Sequence, residues 1–454
     1  MAHIKIVKGL NIPISGQPLN KMGQIPTPKQ LALDLKSFDE MSFKLMAKEG
    51  DLVKIGQPLA EDKNSPGRFF VSPAAGVISE VRRGLKRRLE AIVIDVSEVE
   101  EFHEYALINP ETASKEEIKA RLLSAGIFTL IHQRPFNILA NPNNSPKSIF
   151  VKAIESAPFV PAAELQVEGY EKEFQAGLEA LSKLTDGKVH LVYSTNSKCS
   201  AFLNAKNVEK HDATGPHPIA NSSLHIQKID PIQTSDDIVW TLNVHDVISI
   251  GHLLTKGKYF TTRLISIAGE GIEEKARGFY KVRNGTAIKD LILFKSAIKP
   301  LRFISGDPLM GKKVEDNDFL GFKDFVFCSL PESEDREFLH FFRLGKNKYS
   351  MSAAYLSGHL KPDARQYDFN TNLHGEPRPF IVASMYNKVQ PLNISTMLLV
   401  KAVMAEDFEL AENLGLLEVD EEDFALPTFV CPSKMEMTEI IADGLKRYSK
   451  ELLS

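Results

Sequence analysis

Lys48-Glu49-Gly50-Asp51-Leu52-Val53-Lys54-Ile55-Gly56-Gln57-Pro58-Leu59, followed by Ser72-Pro73-Ala74-Ala75-Gly76-Val77-Ile78, decides how the N-terminal part of this chain folds. The turns at Gly50-Asp51 and Gly56-Gln57-Pro58 bracket very short apolar runs, so the segment reads as brief strands joined by tight corners. Small residues at Ala74-Ala75-Gly76 mark a place where the second half of the unit folds back closely on the first. Working outward, Val71, Val77, Val81 and the run Ala91-Ile92-Val93-Ile94 supply β-propensity between turn residues. Residues 1–100 therefore read as one small β domain.

This pattern resembles the biotinyl/lipoyl-type barrel. The resemblance draws attention to Lys63 in Glu61-Asp62-Lys63, the position where carrier domains hold a modified lysine. Asn64-Ser65-Pro66-Gly67 lengthens the return to Pro73, however, and does not match the symmetric hairpin tip of a carrier. No prosthetic group is expected on Lys63.

At 454 residues the chain is too long for one ordinary core. A formal net charge of -4 argues against nucleic acid as a partner and leaves any interaction surface local. The densest basic cluster is Arg82-Arg83-Gly84-Leu85-Lys86-Arg87-Arg88, either a face for an anionic membrane or acidic partner, or a solvated hairpin turn. Three scattered cysteines, Cys199, Cys328 and Cys431, give no disulfide framework and no cysteine-based metal signature, as expected for a reducing compartment. Met1-Ala2-His3-Ile4-Lys5-Ile6 lacks the features of a signal peptide, and Ile394 to Ala405 falls short of the roughly 20 apolar residues that span a bilayer. No export and no transmembrane helix are expected.

Beyond residue 100 the periodicity changes. Ser114-Lys115-Glu116-Glu117 is a capping box leading into Ile118, Leu122 and Leu123, and Gly126 ends that helix. Strands at Ser148 to Ile154, Val189 to Tyr193 and Asp237 to Leu242 alternate with helical patterns at Phe174-Leu178-Leu181, near Ser197, and from Val244 to Leu254. Residues 101–256 read as a Rossmann-like α/β domain with a mixed or parallel sheet. Arg263 to Gly269, Gly278 to Val282 and Asn284-Gly285-Thr286 ahead of Ile288, Leu291 and Ile292 give strand, hairpin, strand and capped helix. This order resembles the soluble-ligand-binding β-grasp (SLBB-like) module and assigns 257–330 to it. Residues 331–454 are expected to be a helical C-terminal domain, with helices over Ile394 to Leu416 and Met435 to Leu453 separated by the acidic run 418–423. The fold class is multidomain α/β and α+β.

The carrying segments of a wider resemblance are Ile6-Val7-Lys8-Gly9-Leu10-Asn11-Ile12-Pro13-Ile14, the barrel motif, His245-Asp246-Val247-Ile248 within Asn243 to Gly251, the β-grasp motif and Glu421 to Lys434. Through them the whole chain resembles the NqrA family of the bacterial Na+-translocating NADH:quinone reductases, related to the flavoprotein subunit of NADH:quinone oxidoreductases. The resemblance implies a peripheral subunit of a six-subunit complex on the cytoplasmic face of the bacterial inner membrane. Such a complex passes electrons from NADH to ubiquinone and exports sodium. Sodium is not expected to cross through this chain, because nothing in it spans the bilayer.

Flavoprotein relatives bind FMN on a glycine-rich loop whose N–H groups approach phosphate. The corresponding stretch here is Ile127-Phe128-Thr129-Leu130-Ile131-His132-Gln133-Arg134-Pro135-Phe136, whose bulk argues against an FMN cradle. Only Cys431-Pro432 remains of a cysteine cluster, and one thiolate does not hold an iron-sulfur cluster that needs four ligands. FMN and an iron-sulfur cluster are expected to be absent, and Cys431-Pro432 to be a retained turn. A quinone head needs an apolar slot and donors to its carbonyls, and Phe128, His132, Arg134 and Phe136 offer those residue types for quinone binding. The competing reading buries both phenylalanines as core and salt-bridges Arg134. The histidines His211, His217 and His225, and His245 with His252, lack zinc-helix spacing, so no metal is expected. No nucleophile elbow, Walker loop or G-x-G-x-x-G supports a catalytic site of the chain's own. Two classes of function follow: a quinone-associated, docking subunit of the sodium-pumping complex, or a soluble carrier or ligand-binding module without a membrane complex.

Overall fold

The computed structural model describes residues 1–38, 40–296, 300–333, 342–352, 354–360 and 365–453. The opening motif folds into two facing sheets. Gln30–Asp34, Leu89–Val96, Gly76–Arg83 and Leu52–Val53 form one, and Phe43–Leu45, Pro58–Asp62 and Phe69–Val71 the other. Both corners have the geometry their residues suggest: Gly50 and Gly56 take φ of +88° and +82°. Asp51 accepts from the Lys48 N–H and Gln57 from the Lys54 N–H, at 2.9 and 3.1 Å. At Gly76 a Cβ would lie 1.9 Å from the Asp95 carbonyl oxygen, which explains the small residue at the fold-back. Leu31, Leu33, Leu59, Phe70, Ile78 and Ile92 fill the space between the sheets.

Residues 115–259 carry the second unit. Its seven-stranded sheet runs in the order His3–Lys5, Glu209–Thr214, Lys188–Ser194, Ser148–Ala153, Val239–Asn243, His132–Arg134, Ile138–Leu139. The first five strands are parallel, His132–Arg134 runs antiparallel to Val239–Asn243, and Ile138–Leu139 antiparallel to His132–Arg134. Helices Glu171–Leu184 and Val244–Lys256 cover one face, crossing where Gly177 and Gly251 let their backbones meet. Helix Ser222–Ile229 and the C-terminal helices cover the other. The expected capping box of the first helix forms, with Ser114 Oγ accepting from the Glu117 N–H at 3.2 Å.

A six-stranded sheet, Lys312–Val314, Leu301–Ser305, Val326–Pro331, Thr262–Ala268, Gly278–Arg283 and Met22–Gly23, makes the third unit. The helix expected after Gly285-Thr286 is a single turn, Ile288–Leu291, without a side-chain cap. The Thr286 hydroxyl instead donates to the Arg283 carbonyl at 2.7 Å.

Several further expectations change. His3–Lys5 pairs in the second sheet and Met22–Gly23 in the third, so these two short strands stitch the units together. Short edge strands carry no mark of their partner in the sequence. The helix expected near Ser197 is only Ser200–Leu203, and His211 and His225 lie in regular elements, strand Glu209–Thr214 and helix Ser222–Ile229. That strand lies between other strands yet is polar, Glu-Lys-His-Asp-Ala-Thr, and has no apolar alternation to announce it. In 331–454, positions 334–341, 353, 361–364 and 454 lie outside the described residues. The described residues 342–385 are irregular apart from the turn Leu356–Gly358, and α-helix begins at Tyr386. Thr396–Met404, Phe408–Asn413 and Met437–Leu453 occupy the expected helical stretches.

Candidate functional site at the domain junctions

The segment expected to contact quinone is divided by the sheet it belongs to. Phe128 lies in the turn Ile127–Leu130, fully buried edge-on to Trp240 at 5.5 Å, in the core beneath helices Glu171–Leu184 and Val244–Lys256. Phe136 lies in the opposite core, against Tyr448 of the last helix at 6.0 Å. Arg134 Nη1 is 3.1 Å from Asp420 Oδ2, and its Nη2 donates to Ser223 Oγ at 2.7 Å. His132 Nδ1 meets Asn137 Oδ1 at 3.1 Å, and burial together with Lys323 pushes its pKa down to about 3. Phe128, His132, Arg134 and Phe136 thus do not line one slot: the phenylalanines face opposite cores and the guanidinium is committed to a carboxylate. Phe128 sits in the turn before strand His132–Arg134 and Phe136 in the turn after it, on the two sides of the sheet, which the sequence run alone conceals.

A different cavity gathers at the junction of all three units. Asp34 and Val71 from the barrel, Leu130 and His245 from the second unit, and Arg263 and Phe322 from the third line it, with Tyr259, Phe260 and Asn284 beside them. The turn 127–130 is held here by Lys323, which donates to the Leu130 carbonyl at 2.8 Å and pairs with Asp246 at 3.2 Å. Asp246 also closes the capping box with Asn243 at the start of its helix. Arg263 donates to the Gly321, Phe322 and Asp324 carbonyls, while its Nε and Asn284 Oδ1 have no hydrogen-bond partner among the described residues. Burial raises the Asp34 carboxyl to about 7, against the opposing pull of Lys36. Burial and the cations Arg263 and Lys323 hold His245 well below the usual imidazole range, so it is neutral. The junction therefore combines aromatic and aliphatic walls with an unpaired donor, an unpaired acceptor and a carboxyl poised to exchange a proton. Sequence reasoning singled out His245 within a family motif but missed Asp34, Arg263 and Asn284, because the site assembles from three units.

A second crevice opens at the carboxyl ends of the parallel strands, beside Ser148–Ala153. The chain runs from this strand to Lys188–Ser194 on one side, and its later return places Val239–Asn243 on the other, the kind of switch where α/β sheets hold ligands. Lys152 Nζ is 3.0 Å from Glu155 Oε2. The Ala220 N–H donates to Ser156 Oγ at 3.2 Å, and Ser156 Oγ is 2.9 Å from His217 Nδ1. With the hydroxyl proton on that bond, His217 carries its own proton on Nε2, which has no partner among the described residues. Asp307 and Glu422 complete the lining, and burial raises the Glu422 carboxyl to about 8 against the opposing field of Lys152.

His190, Glu209 and His211 bring three possible ligand atoms within 4.8 Å. The Ala2 N–H donates to His211 Nδ1 at 2.9 Å, so neutral His211 carries its proton on Nε2 and donates to His190 Nδ1, 3.0 Å away. The His211 nitrogen facing the cluster is thus already a donor, and Lys188 pairs with Glu209. This is a satisfied hydrogen-bond chain. His225 Nε2 donates to the Ile219 carbonyl at 2.8 Å, and the His252 ring lies tilted against Phe260 with centroids 5.0 Å apart. Cys431 is buried after helix Ala425–Val430, with its Sγ accepting from the Met435 N–H at 3.4 Å. Lys63 is exposed at the start of the loop between Pro58–Asp62 and Phe69–Val71, a loop pinned by Asp62 and Glu61.

Residues 4–97 match the family model described as the NqrA N-terminal barrel-sandwich hybrid domain, and residues 113–259 the NqrA second alpha/beta domain. Proteins named as the NqrA component of Na(+)-translocating NADH-quinone reductase align over the whole length. The one from Chlamydia caviae is 37% identical, covering 99% of this chain and 97% of the relative. That from Chlamydia pneumoniae is 34% identical over 99% and 98%. That from Tolumonas auensis is 35% identical over 99% of this chain and 100% of the relative. The chain belongs to the NqrA family, one of the subunit families of the Na+-translocating NADH-quinone reductases.

Proposed function

We propose that this chain is a peripheral subunit, on the cytoplasmic face of the bacterial inner membrane, of a six-subunit complex that oxidises NADH, reduces ubiquinone and exports sodium. Its own contribution is docking and quinone contact, and NADH oxidation belongs to other subunits. The full-length match to relatives named as a reductase subunit leaves the soluble carrier module without support. No helix among the described residues is long and apolar enough to cross a membrane, which suits a subunit held by others.

The quinone site in this reading is the three-unit junction rather than the Phe128 to Phe136 segment as a whole. One observation carries it: apolar walls from Val71, Leu130 and Phe322 surround an Arg263 Nε–H with no acceptor and a carboxyl, Asp34, raised to about 7. A quinone carbonyl accepts from such a donor, and its reduction consumes protons that a carboxyl of that pKa can supply. The void is narrow, about the size of one water molecule, so ring entry separates Phe322 from the barrel wall. FMN and an iron-sulfur cluster have no place in this assignment. The turn 127–130 is packed into the core, and the Cys431 thiol is enclosed by Tyr386 and Met435.

A photoreactive ubiquinone analogue on the intact complex tests the site. Labelling within residues 30–35, 127–131 or 319–323 of this chain, reduced by excess ubiquinone, is the expected result. Labelling confined to other subunits removes the quinone assignment. Stoichiometric iron or flavin in the purified chain would overturn the cofactor reading.

A further inference from the structure

We propose that the tip of the hairpin joining Gly76–Arg83 to Leu89–Val96 docks the protein onto an anionic lipid surface. The turn Leu85–Arg87 lifts Leu85 out of the barrel, 92% exposed at the apex. Arg83, Lys86 and Arg87 are exposed around it and meet no carboxylate among the described residues. Arg82 and Arg88 at the base are instead paired with Glu80 and Glu90. Cations at the root are thus paired with carboxylates, while at the apex Arg83 donates only to the Arg87 carbonyl at 3.0 Å and Lys86 and Arg87 meet no carboxylate among the described residues, on a chain whose formal net charge is -4.

The backbone makes the same distinction. Lys86 and Arg87 take φ of +55° and +62°, a left-handed conformation that side chains other than glycine disfavour. Gly84, which would adopt it freely, is extended at φ -94°. A turn made only to reverse the chain would put glycine where φ is positive. Here the positive-φ positions hold two long cations, and the aliphatic residue stands beside them, 92% exposed among the described residues.

An apolar apex ringed by long basic side chains fits the bilayer interface. Leu85 enters below the headgroups while the lysine and arginines reach phosphate along their own stems. An acidic protein surface would pair the cations but needs a separate pocket for Leu85. The complex to which the family belongs translocates sodium, which places a membrane within reach. This inference does not rest on the quinone site.

Cosedimentation of the full chain with vesicles tests it. Binding is expected to vesicles containing phosphatidylglycerol and phosphatidylcholine, to weaken with salt, and to be absent with phosphatidylcholine alone. Each cation removed costs roughly fivefold in partitioning, so a Lys86→Gln, Arg87→Gln double variant should bind roughly 25-fold more weakly. Leu85→Asp should weaken binding as well, and both variants should keep the thermal midpoint because the tip touches no core. Equal binding to both vesicle types, no binding to either, or unaltered binding by the variants overturns the proposal. Absence of vesicle binding together with loss of the double variant from the assembled complex overturns it in favour of an acidic protein partner.

Discussion

Arg134 and Asp420 form an ion pair 3.1 Å long, with side chains 1% and 8% exposed, that bolts the antiparallel edge of the second unit's sheet to the C-terminal helices. Asn137 donates to the same carboxylate at 2.6 Å, and Ser223 takes another arginine N–H. Removing one member of such a pair strands a charge out of water. Arg134→Ala is expected to lower stability by about 3–5 kcal/mol, whereas Arg134→Met with Asp420→Leu should recover most of it. Urea unfolding of the purified chain measures both. A destabilised Arg134→Ala chain with unchanged quinone affinity confirms the residue as structural, and lost affinity at unchanged stability would restore it to the quinone site.

The carboxyl at the three-unit junction has a pH signature. Asp34 sits at about 7 in the folded chain because burial disfavours its charge, and near 4 when unfolded. Between those values the folded state holds a proton that the unfolded state has released, so this group stabilises at acid pH and loses its contribution as pH rises through 7. Asp34→Asn removes the dependence. The variant's stability relative to the parent should rise by roughly 3–4 kcal/mol from pH 4 to pH 8. Chemical unfolding at both pH values reads it, and parallel curves for parent and variant would rule out a buried, proton-holding Asp34.

Local chemistry made much of this fold legible and long-range assembly did not. Ser114 with Glu117 and Asn243 with Asp246 cap their helices through neighbours in sequence, and Gly50, Gly56 and Gly76 sit where backbone geometry demands them. His3–Lys5 and Met22–Gly23 are too short and too exposed for their pairing partners to be read from periodicity. The candidate site was less legible still. Phe128 and Arg134 lie close in sequence but serve opposite faces of one sheet, while Asp34, His245 and Arg263 are far apart in sequence and meet only through packing of three units.

The helix crossing over the second unit depends on two missing side chains. A Cβ at Gly251 would stand 1.8 Å from the Glu173 carbonyl oxygen, and one at Gly177 would stand 2.1 Å from that of Val247. Neither oxygen belongs to a side chain that can turn away, so helices Glu171–Leu184 and Val244–Lys256 must separate to admit a methyl group. Gly251→Ala, which in an exposed helix would be stabilising, is expected to cost about 1–3 kcal/mol or more. A thermal midpoint at or above that of the parent would show that the crossing is looser than these contacts require.

His217 provides the opposite pH dependence in the crevice at the strand ends. Burial, reinforced by the Lys152 ammonium, lowers its pKa to about 4, against about 6.5 when unfolded. The folded chain therefore keeps the ring neutral while the unfolded chain takes up a proton as pH falls below 6.5. Stability present above that pH is lost progressively down to about pH 4. His217→Gln keeps an amide in the place of the ring and abolishes the titration. The parent should lose roughly 2–3 kcal/mol more than the variant between pH 7.5 and pH 4.5. Because His211 and His225 titrate low as well, the difference between parent and variant, rather than the parent's own acid lability, identifies this ring. An equal acid loss in both chains would mean that His217 is protonated in the folded state, and its Nε2 would then be a charged donor facing Glu422 and Asp307 across the crevice.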